Sequence, residues 1–146
     1  MTFPTHLMAG LVLGKITGNY PLSVGVAVGI DVDHIFSYAK NGVLLKPKKF
    51  LDTVFNKEDP YGDQRFILHN VLIFILFSVM VSIFNPTVGI VFSLAYLSHI
   101  ILDALDGSDY FPFFPNKKIN IRGPVKYFSR QEFIILASLI MVFFLI

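Results

Sequence analysis

The segment GIDVDH, residues 29–34, places two carboxylates and one imidazole at the end of an otherwise apolar run. Aspartate and histidine offer the oxygen and nitrogen ligands that zinc and manganese accept. Asp31 and His34 are three residues apart, so a helix that ends here presents both on one face. Asp33 points elsewhere, toward a second metal ion or a supporting role behind a ligand. The alternative is a helix end with solvated charges, which are less costly at a membrane boundary than at its centre.

The composition indicates an integral membrane protein. The chain has 146 residues, is 54% hydrophobic and has a mean hydropathy of +0.65, well above the globular average. It has no cysteine, which excludes disulfides and thiolate metal ligands, and its net charge of +2 is too small to indicate a nucleic-acid partner. The first apolar run has no basic leader and is followed by Lys15, so we expect no cleavable signal and one domain over residues 1–146.

Five apolar segments predict an all-α membrane fold. The first two, residues 5–18 and 21–30, are separated by the turn formers GNYP at residues 18–21, which predicts a short helical hairpin. Each arm is shorter than the roughly 20 residues that a full span needs. One tilted span over residues 7–30 is therefore the alternative, although it leaves Lys15 in the middle of the membrane. Glycines recur every four positions in both arms, which lets helices approach closely.

The other three apolar segments cover residues 65–84, 88–105 and 133–146. One polar connection precedes the first of these segments and another precedes the last. In residues 37–64, apolar side chains recur at helical spacing behind lysines, which is typical of a short interfacial helix on the cytoplasmic membrane surface: Phe50, Leu51, Val54 and Phe55. Residues 106–130 are basic and rich in aromatic residues, which suits the membrane interface.

The basic residues predict the orientation of the chain. With five segments, the N-terminus and both polar connections lie on one side, which then holds every lysine and arginine except Lys15. By the positive-inside rule that side is cytoplasmic. All four histidines fall toward it, and His99 and Asp103 are four residues apart on one helix face. A single intramembrane histidine is more often hydrogen-bonded to a neighbouring helix, but this convergence favours one shared metal site.

The candidate ligands are the four histidines and three aspartates on that side: His6, Asp31, Asp33, His34, His69, His99 and Asp103. They allow one ion with carboxylates to spare, or two ions with about three ligands each, zinc being favoured over manganese. Such an ion would activate a water for hydrolysis, and Asp33 would accept the proton. Arg65, Lys117 and Lys118 would hold an anion, which together with the basic surface helix indicates a phospholipid or lipid-linked phosphate, although positive-inside topology also requires those lysines.

These motifs resemble the YdjM-like family, small prokaryotic inner-membrane proteins classed as LexA-regulated, metal-dependent hydrolases. The resemblance runs through His6, the 31–34 motif, the segment around Arg65 and His69, residues 96–99 with Asp103, and residues 112–115. It implies a helical membrane domain with a metal centre and hydrolytic activity.

One part of the pattern departs from the family. Where the family reads His-Arg-Gly-x-Thr-His-Ser, residues 64–70 read QRFILHN, so Gln64 stands in place of a histidine. Two functions therefore stay open: a metal-dependent hydrolase, and a non-catalytic metal-binding or sensing protein that descends from one. A transporter is a third class, but it needs a polar path across the membrane that the last three segments lack.

Overall fold

The computed structural model describes residues 1–54 and 65–146, and every regular element in those ranges is helical. The helices are α1 (Phe3–Thr17), α2 (Tyr20–Gly29), α3 (Asp33–Lys40), α4 (Pro47–Val54), α5 (Val71–Phe84), α6 (Pro86–Leu105) and α7 (Arg130–Leu145). Single 3₁₀ turns, Ile30–Val32 and Ile67–His69, precede α3 and α5. The all-α prediction is confirmed for the described residues.

The first two helices form the predicted hairpin. Gly18 ends α1 with a φ of 72°, in the left-handed region that glycine adopts without strain. Asn19 then caps α2 by accepting the Leu22 N–H at 3.2 Å. The two helices lie so close that a Cβ added to Gly10 would be 2.9 Å from Val24 Cα. The alternative of one tilted span is wrong, because the chain reverses at Gly18.

Helical turns continue beyond the 31–34 motif, where the sequence predicts a helix end. Residues Tyr20–Lys40 form one stretch of 21 residues that is apolar enough to cross a membrane. The polar residues Asp33 and Ser37 do not end it because both side chains are buried, and Asp33 accepts hydrogen bonds there. Asp31 and His34 thus lie in the middle of a helical stretch, and the polar connection starts after Lys40.

The apolar segment over residues 65–84 is helical only from Val71 onward. Helix α5 has 14 residues, or about 21 Å, which is shorter than the hydrocarbon core of about 30 Å. Residues 65–70 precede it as an irregular stretch, called here the 65–70 segment. Asn70 begins the helix by accepting the Leu72 N–H at 2.8 Å. His69 and Arg65 therefore do not lie on a transmembrane helix.

Two described helical stretches are long and apolar enough to cross a membrane, Tyr20–Lys40 and Pro86–Leu105, and α5 is a shorter apolar helix. The predicted count of five spans is not confirmed. The short helix expected in the first polar connection is present as α4, whose Phe50 ring packs edge-on against Tyr38 with centroids 5.5 Å apart. Phe55 of its predicted apolar face lies outside the described residues, and so does Gln64.

The packed helices have two ends that differ in their polar contacts. At one end, Lys15 Nζ donates to the carbonyl of Phe143 near the end of α7, at 2.7 Å. At the other end, the Met1 ammonium lies 2.8 Å from Asp103 Oδ1, near the end of α6. The 65–70 segment and the connection 106–129 also lie at this second end, where Val71 N–H donates to the Pro112 carbonyl at 2.8 Å. The buried polar residues gather here.

Candidate metal centre

Four side chains from three parts of the chain direct their ligand atoms at one another, and we call them the central quartet: Asp31, His69, His99 and Asp103. His69 Nε2 lies 3.1 Å from His99 Nε2, 3.3 Å from Asp103 Oδ2 and 3.8 Å from Asp31 Oδ1. His99 Nε2 lies 3.5 Å from Asp31 Oδ1 and 3.8 Å from Asp103 Oδ2. A tetrahedral zinc ion separates its nitrogen and oxygen ligands by about 3.4 Å. His69, His99 and Asp103 form one group whose ligand atoms all lie within 4.8 Å of one another, and Asp31 forms further groups with His6 and His99 and with His34 and His69. These distances are compatible with a bound metal ion.

Both quartet histidines turn Nδ1 toward an acceptor. His99 Nδ1 lies 2.6 Å from the Ala27 carbonyl, and His69 Nδ1 lies 3.3 Å from Asp33 Oδ2. A carbonyl and a carboxylate oxygen only accept hydrogen bonds, so each Nδ1 carries its proton. When both imidazoles are neutral, each Nε2 then presents a lone pair. Two lone pairs and two carboxylates that face one another repel unless a cation lies between them. The donor set thus fits a metal ion.

His6 adds an unpaired imidazole beside the quartet. Its side chain is fully buried, and neither ring nitrogen has a hydrogen-bond partner among the described residues. The ring stacks on His99 with centroids 3.9 Å apart, and Nε2 lies 3.2 Å from Asp103 Oδ1 without the alignment of a hydrogen bond. Burial of an unpaired polar group costs about 1–3 kcal/mol, which coordination of an ion would offset. The hairpin brings His6 here, as its prediction required.

Asp31 and His34 form the open edge of the centre. Their side chains are 26% and 24% exposed, whereas those of the other three quartet members are nearly inaccessible. His34 Nδ1 lies 3.5 Å from Asp31 Oδ1, and Asp31, His34 and His69 form a second group whose ligand atoms lie within 4.8 Å of one another. The centre is therefore accessible to solvent at this edge.

Two protein cations hold Asp103. Arg65 Nε donates to Asp103 Oδ2 at 2.8 Å, and the Met1 ammonium donates to Oδ1 at 2.8 Å. Both also approach Asp106 Oδ2, the ammonium at 2.9 Å and the guanidinium at 3.6 Å. Another guanidinium nitrogen of Arg65 donates to the Asp109 carbonyl at 3.3 Å. Arg65 thus neutralises carboxylates of the protein, and these contacts occupy the side chain that the sequence assigns to an anionic substrate.

The charges of the ionisable groups in and around the quartet do not cancel. The carboxylates are Asp31, Asp33, Asp103 and Asp106, and the permanent cations are one guanidinium and one ammonium. With neutral imidazoles, two negative charges remain, and uncompensated charge is costly inside a membrane protein. One divalent cation on the quartet would cancel them. The charge count therefore favours one ion over two.

Asp33 is the one predicted ligand that stays outside every group of metal-ligating atoms among the described residues. It lies at the start of α3, behind His69. Its Oδ2 accepts the Leu68 N–H at 2.6 Å and the His69 Nδ1–H at 3.3 Å. The structure thus separates Asp33 from the other six candidates, which it brings together.

The 65–70 segment is held by hydrogen bonds from its surroundings. Tyr96 Oη donates to the Leu68 carbonyl at 2.5 Å, and Tyr110 Oη donates to the His69 carbonyl at 2.7 Å. The Asn70 amide donates to the Phe114 carbonyl at 2.5 Å. Irregular backbone is stable at membrane depth only where protein groups satisfy it in this way. Helix α6 and the connection after it therefore determine where His69 lies.

Sequence reasoning missed several of these polar residues. It did not foresee the Met1 ammonium, the two tyrosines, or Glu132, whose carboxylate accepts N–H groups of Thr2 at 2.5 Å and Phe128 at 2.8 Å. Glu132 alone left a signal, because it is the one acid beside the last apolar run. Tyrosine is common at membrane interfaces, so its presence does not point to a site.

Comparison with known proteins agrees with the motifs. No curated protein and no solved structure matches the chain. The family described as YdjM inner membrane protein matches residues 1–146, the full sequence. Together with two apolar helical stretches of membrane-spanning length, this match shows that the chain is a membrane protein and belongs to the YdjM inner membrane protein family.

Proposed function

We propose that this protein is a metal-dependent hydrolase at the cytoplasmic face of the prokaryotic inner membrane. The central quartet binds one divalent ion, with zinc favoured over manganese, and His6 and His34 flank it. The observation that carries the proposal is the approach of two Nε2 lone pairs to 3.1 Å between two carboxylates. Two neutral Nε2 atoms and two carboxylates at these distances support the proposal, because a common cation would remove their mutual repulsion.

A divalent ion at the quartet supplies a bound water whose pKa is lowered toward neutrality. The protein's own residues do the rest. Arg65 and the Met1 ammonium keep Asp103 ionised and hold it in place, since both donate to its carboxylate. The Ala27 carbonyl and Asp33 orient the two histidines. Asp31 and His34 leave one edge open for the reacting group.

The substrate that suits this location is a lipid phosphoester. The centre lies at the end of apolar helices, so a molecule that reaches its open edge from the membrane carries acyl chains. The connection over residues 106–129 adds three lysines and one arginine, which attract a phosphate group. An aromatic ring of this connection stabilises one of these cations, since Lys117 Nζ lies 5.3 Å from the centre of the Phe111 ring.

The metal content of the detergent-purified protein tests the proposal first. We expect about one equivalent of zinc or manganese by elemental mass spectrometry, and its loss in His99→Gln and in Asp31→Asn. Asp109→Asn is the matched control, because that carboxylate pairs with Arg122 and does not contact the quartet. A wild-type protein without metal, even after reconstitution with Zn²⁺ or Mn²⁺, would overturn the proposal.

Hydrolysis is tested next, with metal-loaded protein in mixed micelles. Phosphatidic acid and phosphatidylglycerol offer a phosphomonoester and a phosphodiester, and ³¹P NMR follows both. We expect turnover of one class by the wild type and by Asp109→Asn, and none by His99→Gln. Bound metal without turnover would favour the second candidate, a non-catalytic metal-binding membrane protein. The engagement of Asp33 by two donors supports that candidate, since it removes the expected proton acceptor.

The proposed orientation has its own test. The chain has no cysteine, so single cysteines can be introduced at Lys118, in the exposed part of the connection after α6, and at Thr87, beside the α5–α6 turn. We expect a membrane-impermeant maleimide to label Thr87→Cys in intact cells and Lys118→Cys only after the membrane is opened. The reverse pattern would place the centre outside the cytoplasm.

A further inference from the structure

The second aspartate of the 31–34 motif has a role that its position in the sequence does not reveal. Asp33 is 3% exposed, and its Oδ2 receives two hydrogen bonds from neighbouring residues of the 65–70 segment. One comes from the Leu68 backbone N–H at 2.6 Å, and the other comes from the His69 ring at 3.3 Å. A single oxygen thus connects α3 to the Leu68 backbone and to the side chain of His69, a member of the quartet.

The two contacts act on different properties of His69. The bond from Nδ1 leaves the proton on that nitrogen and directs the lone pair of Nε2 at His99 and Asp103. The bond from the Leu68 N–H holds the irregular backbone that carries His69, together with Tyr96, whose hydroxyl donates to the Leu68 carbonyl. A carboxylate behind an imidazole also makes that imidazole a stronger metal ligand.

We propose that Asp33 is a positioning residue for His69, and that it is neither a metal ligand nor the proton acceptor of the reaction. The inference rests on the proposed metal centre. Asp31 and Asp33 stand two residues apart in one motif, yet one faces the quartet and the other lies behind a quartet ligand. The motif therefore supplies one ligand and the support of a second ligand that lies 36 residues farther along the chain.

Metal affinity and the ligand field at the ion test this inference. Zn²⁺ affinity is measured by competition with a chromogenic chelator, and Co²⁺ replaces zinc so that its visible absorption reports the ligands. Asp33→Ala removes the acceptor, so we expect Zn²⁺ affinity to fall about 10–100-fold and the Co²⁺ spectrum to approach that of His69→Gln. Asp33→Asn keeps an oxygen that accepts both N–H groups, so we expect the wild-type Co²⁺ spectrum and a smaller loss of affinity.

The matched control is Glu132→Gln. Glu132 is also a buried carboxylate that accepts backbone N–H groups, but it binds Thr2 and Phe128 and does not contact the quartet. We expect its affinity and spectrum to match the wild type, which would separate the effect on His69 from a general loss of packing.

Three outcomes decide the matter. Wild-type affinity and spectrum in Asp33→Ala would overturn the inference and leave the metal centre standing. A changed Co²⁺ spectrum in Asp33→Asn would also overturn it, because Asp33 would then be a ligand; this variant decides even if Asp33→Ala does not fold. A wild-type protein that binds neither metal would overturn the inference and the proposed function together.

Discussion

His69 Nε2 and His99 Nε2 lie 3.1 Å apart although each ring has turned its Nδ1 toward an acceptor. His99 comes from the apolar helix α6, and His69 comes from the irregular 65–70 segment. With Asp31 and Asp103 on either side, this pair concentrates negative potential inside the protein. The four predictions below follow from the charges and the packing that hold this pair together.

Metal binding should stabilise the fold. Protein that is stripped with a chelator retains two unbalanced negative charges, so we expect its melting temperature to rise when Zn²⁺ is added. Free metal at a hundred times the dissociation constant adds about 2.7 kcal/mol to the free energy of unfolding. Thermal unfolding in detergent, followed by circular dichroism, measures the change. His99→Gln should show no increase, and an equal increase in that variant would place the ion elsewhere.

Arg65→Met should destabilise the protein strongly. The variant leaves Asp103 buried with one of its two cations missing, and loss of one partner from a buried ion pair costs about 3–5 kcal/mol. Urea or SDS unfolding measures this loss, which saturating Zn²⁺ should partly reverse. Arg122→Met is the control, since Arg122 pairs with Asp109 at the surface. An equal loss of unfolding free energy in the two variants would show that the buried ion pair between Arg65 and Asp103 contributes no more than the surface pair.

Gly10→Ala should open the hairpin. The added Cβ would lie 2.9 Å from Val24 Cα and 3.0 Å from Ala27 Cβ, so α1 and α2 must separate at a cost of about 1–3 kcal/mol. The Ala27 carbonyl also accepts the His99 Nδ1–H. A shift of α2 would therefore move His99, so Zn²⁺ affinity should fall as well. Gly25→Ala meets no atom within 4 Å and should stabilise its helix by up to about 1 kcal/mol. A neutral Gly10→Ala would contradict the close packing.

Asp106 should contribute a pH-dependent part of the stability. Burial alone would raise its pKa, but the Met1 ammonium and Arg65 outweigh burial and lower the pKa below 3.8. A carboxyl group with a lowered pKa stabilises the fold above its unfolded value of 3.8, and this contribution disappears as the pH falls through the folded value. In chelator, Asp106→Asn should therefore be less stable than the wild type near neutrality. If the difference in stability between Asp106→Asn and the wild type persisted in strong acid, it would come from packing and not from the charge of Asp106.

Local patterns in the sequence were sufficient for the helices and for the composition of the site. The turn formers before Pro21 predict the hairpin, and Asn85 with Pro86 marks the start of α6, where its side chain accepts the Val88 N–H at 3.1 Å. These signals work because capping and turn geometry depend on neighbouring residues alone. The clustering of histidine and aspartate at one end follows from helix length and order, which are also properties of the sequence.

The 65–70 segment could not be predicted in this way. Its sequence reads as the start of an apolar span, but its backbone bonds with Asp33, Tyr96 and Tyr110 replace the first turns of a helix. Those partners are distant along the chain, so no periodicity within the segment reports them. The same holds for Arg65, whose charge suggests an anion site until Asp103 and Asp106 are seen beside it.

The sequence by itself therefore determined an all-helical membrane protein with a cluster of histidine and aspartate residues toward one end. Only the tertiary structure decided which of those residues face one another, that Asp31 joins the quartet while Asp33 lies behind His69, and which cations neutralise Asp103. The physical reason is that helix formation and burial depend on local pattern, whereas a ligand set depends on distances of a few ångströms between atoms that the sequence separates by tens of residues.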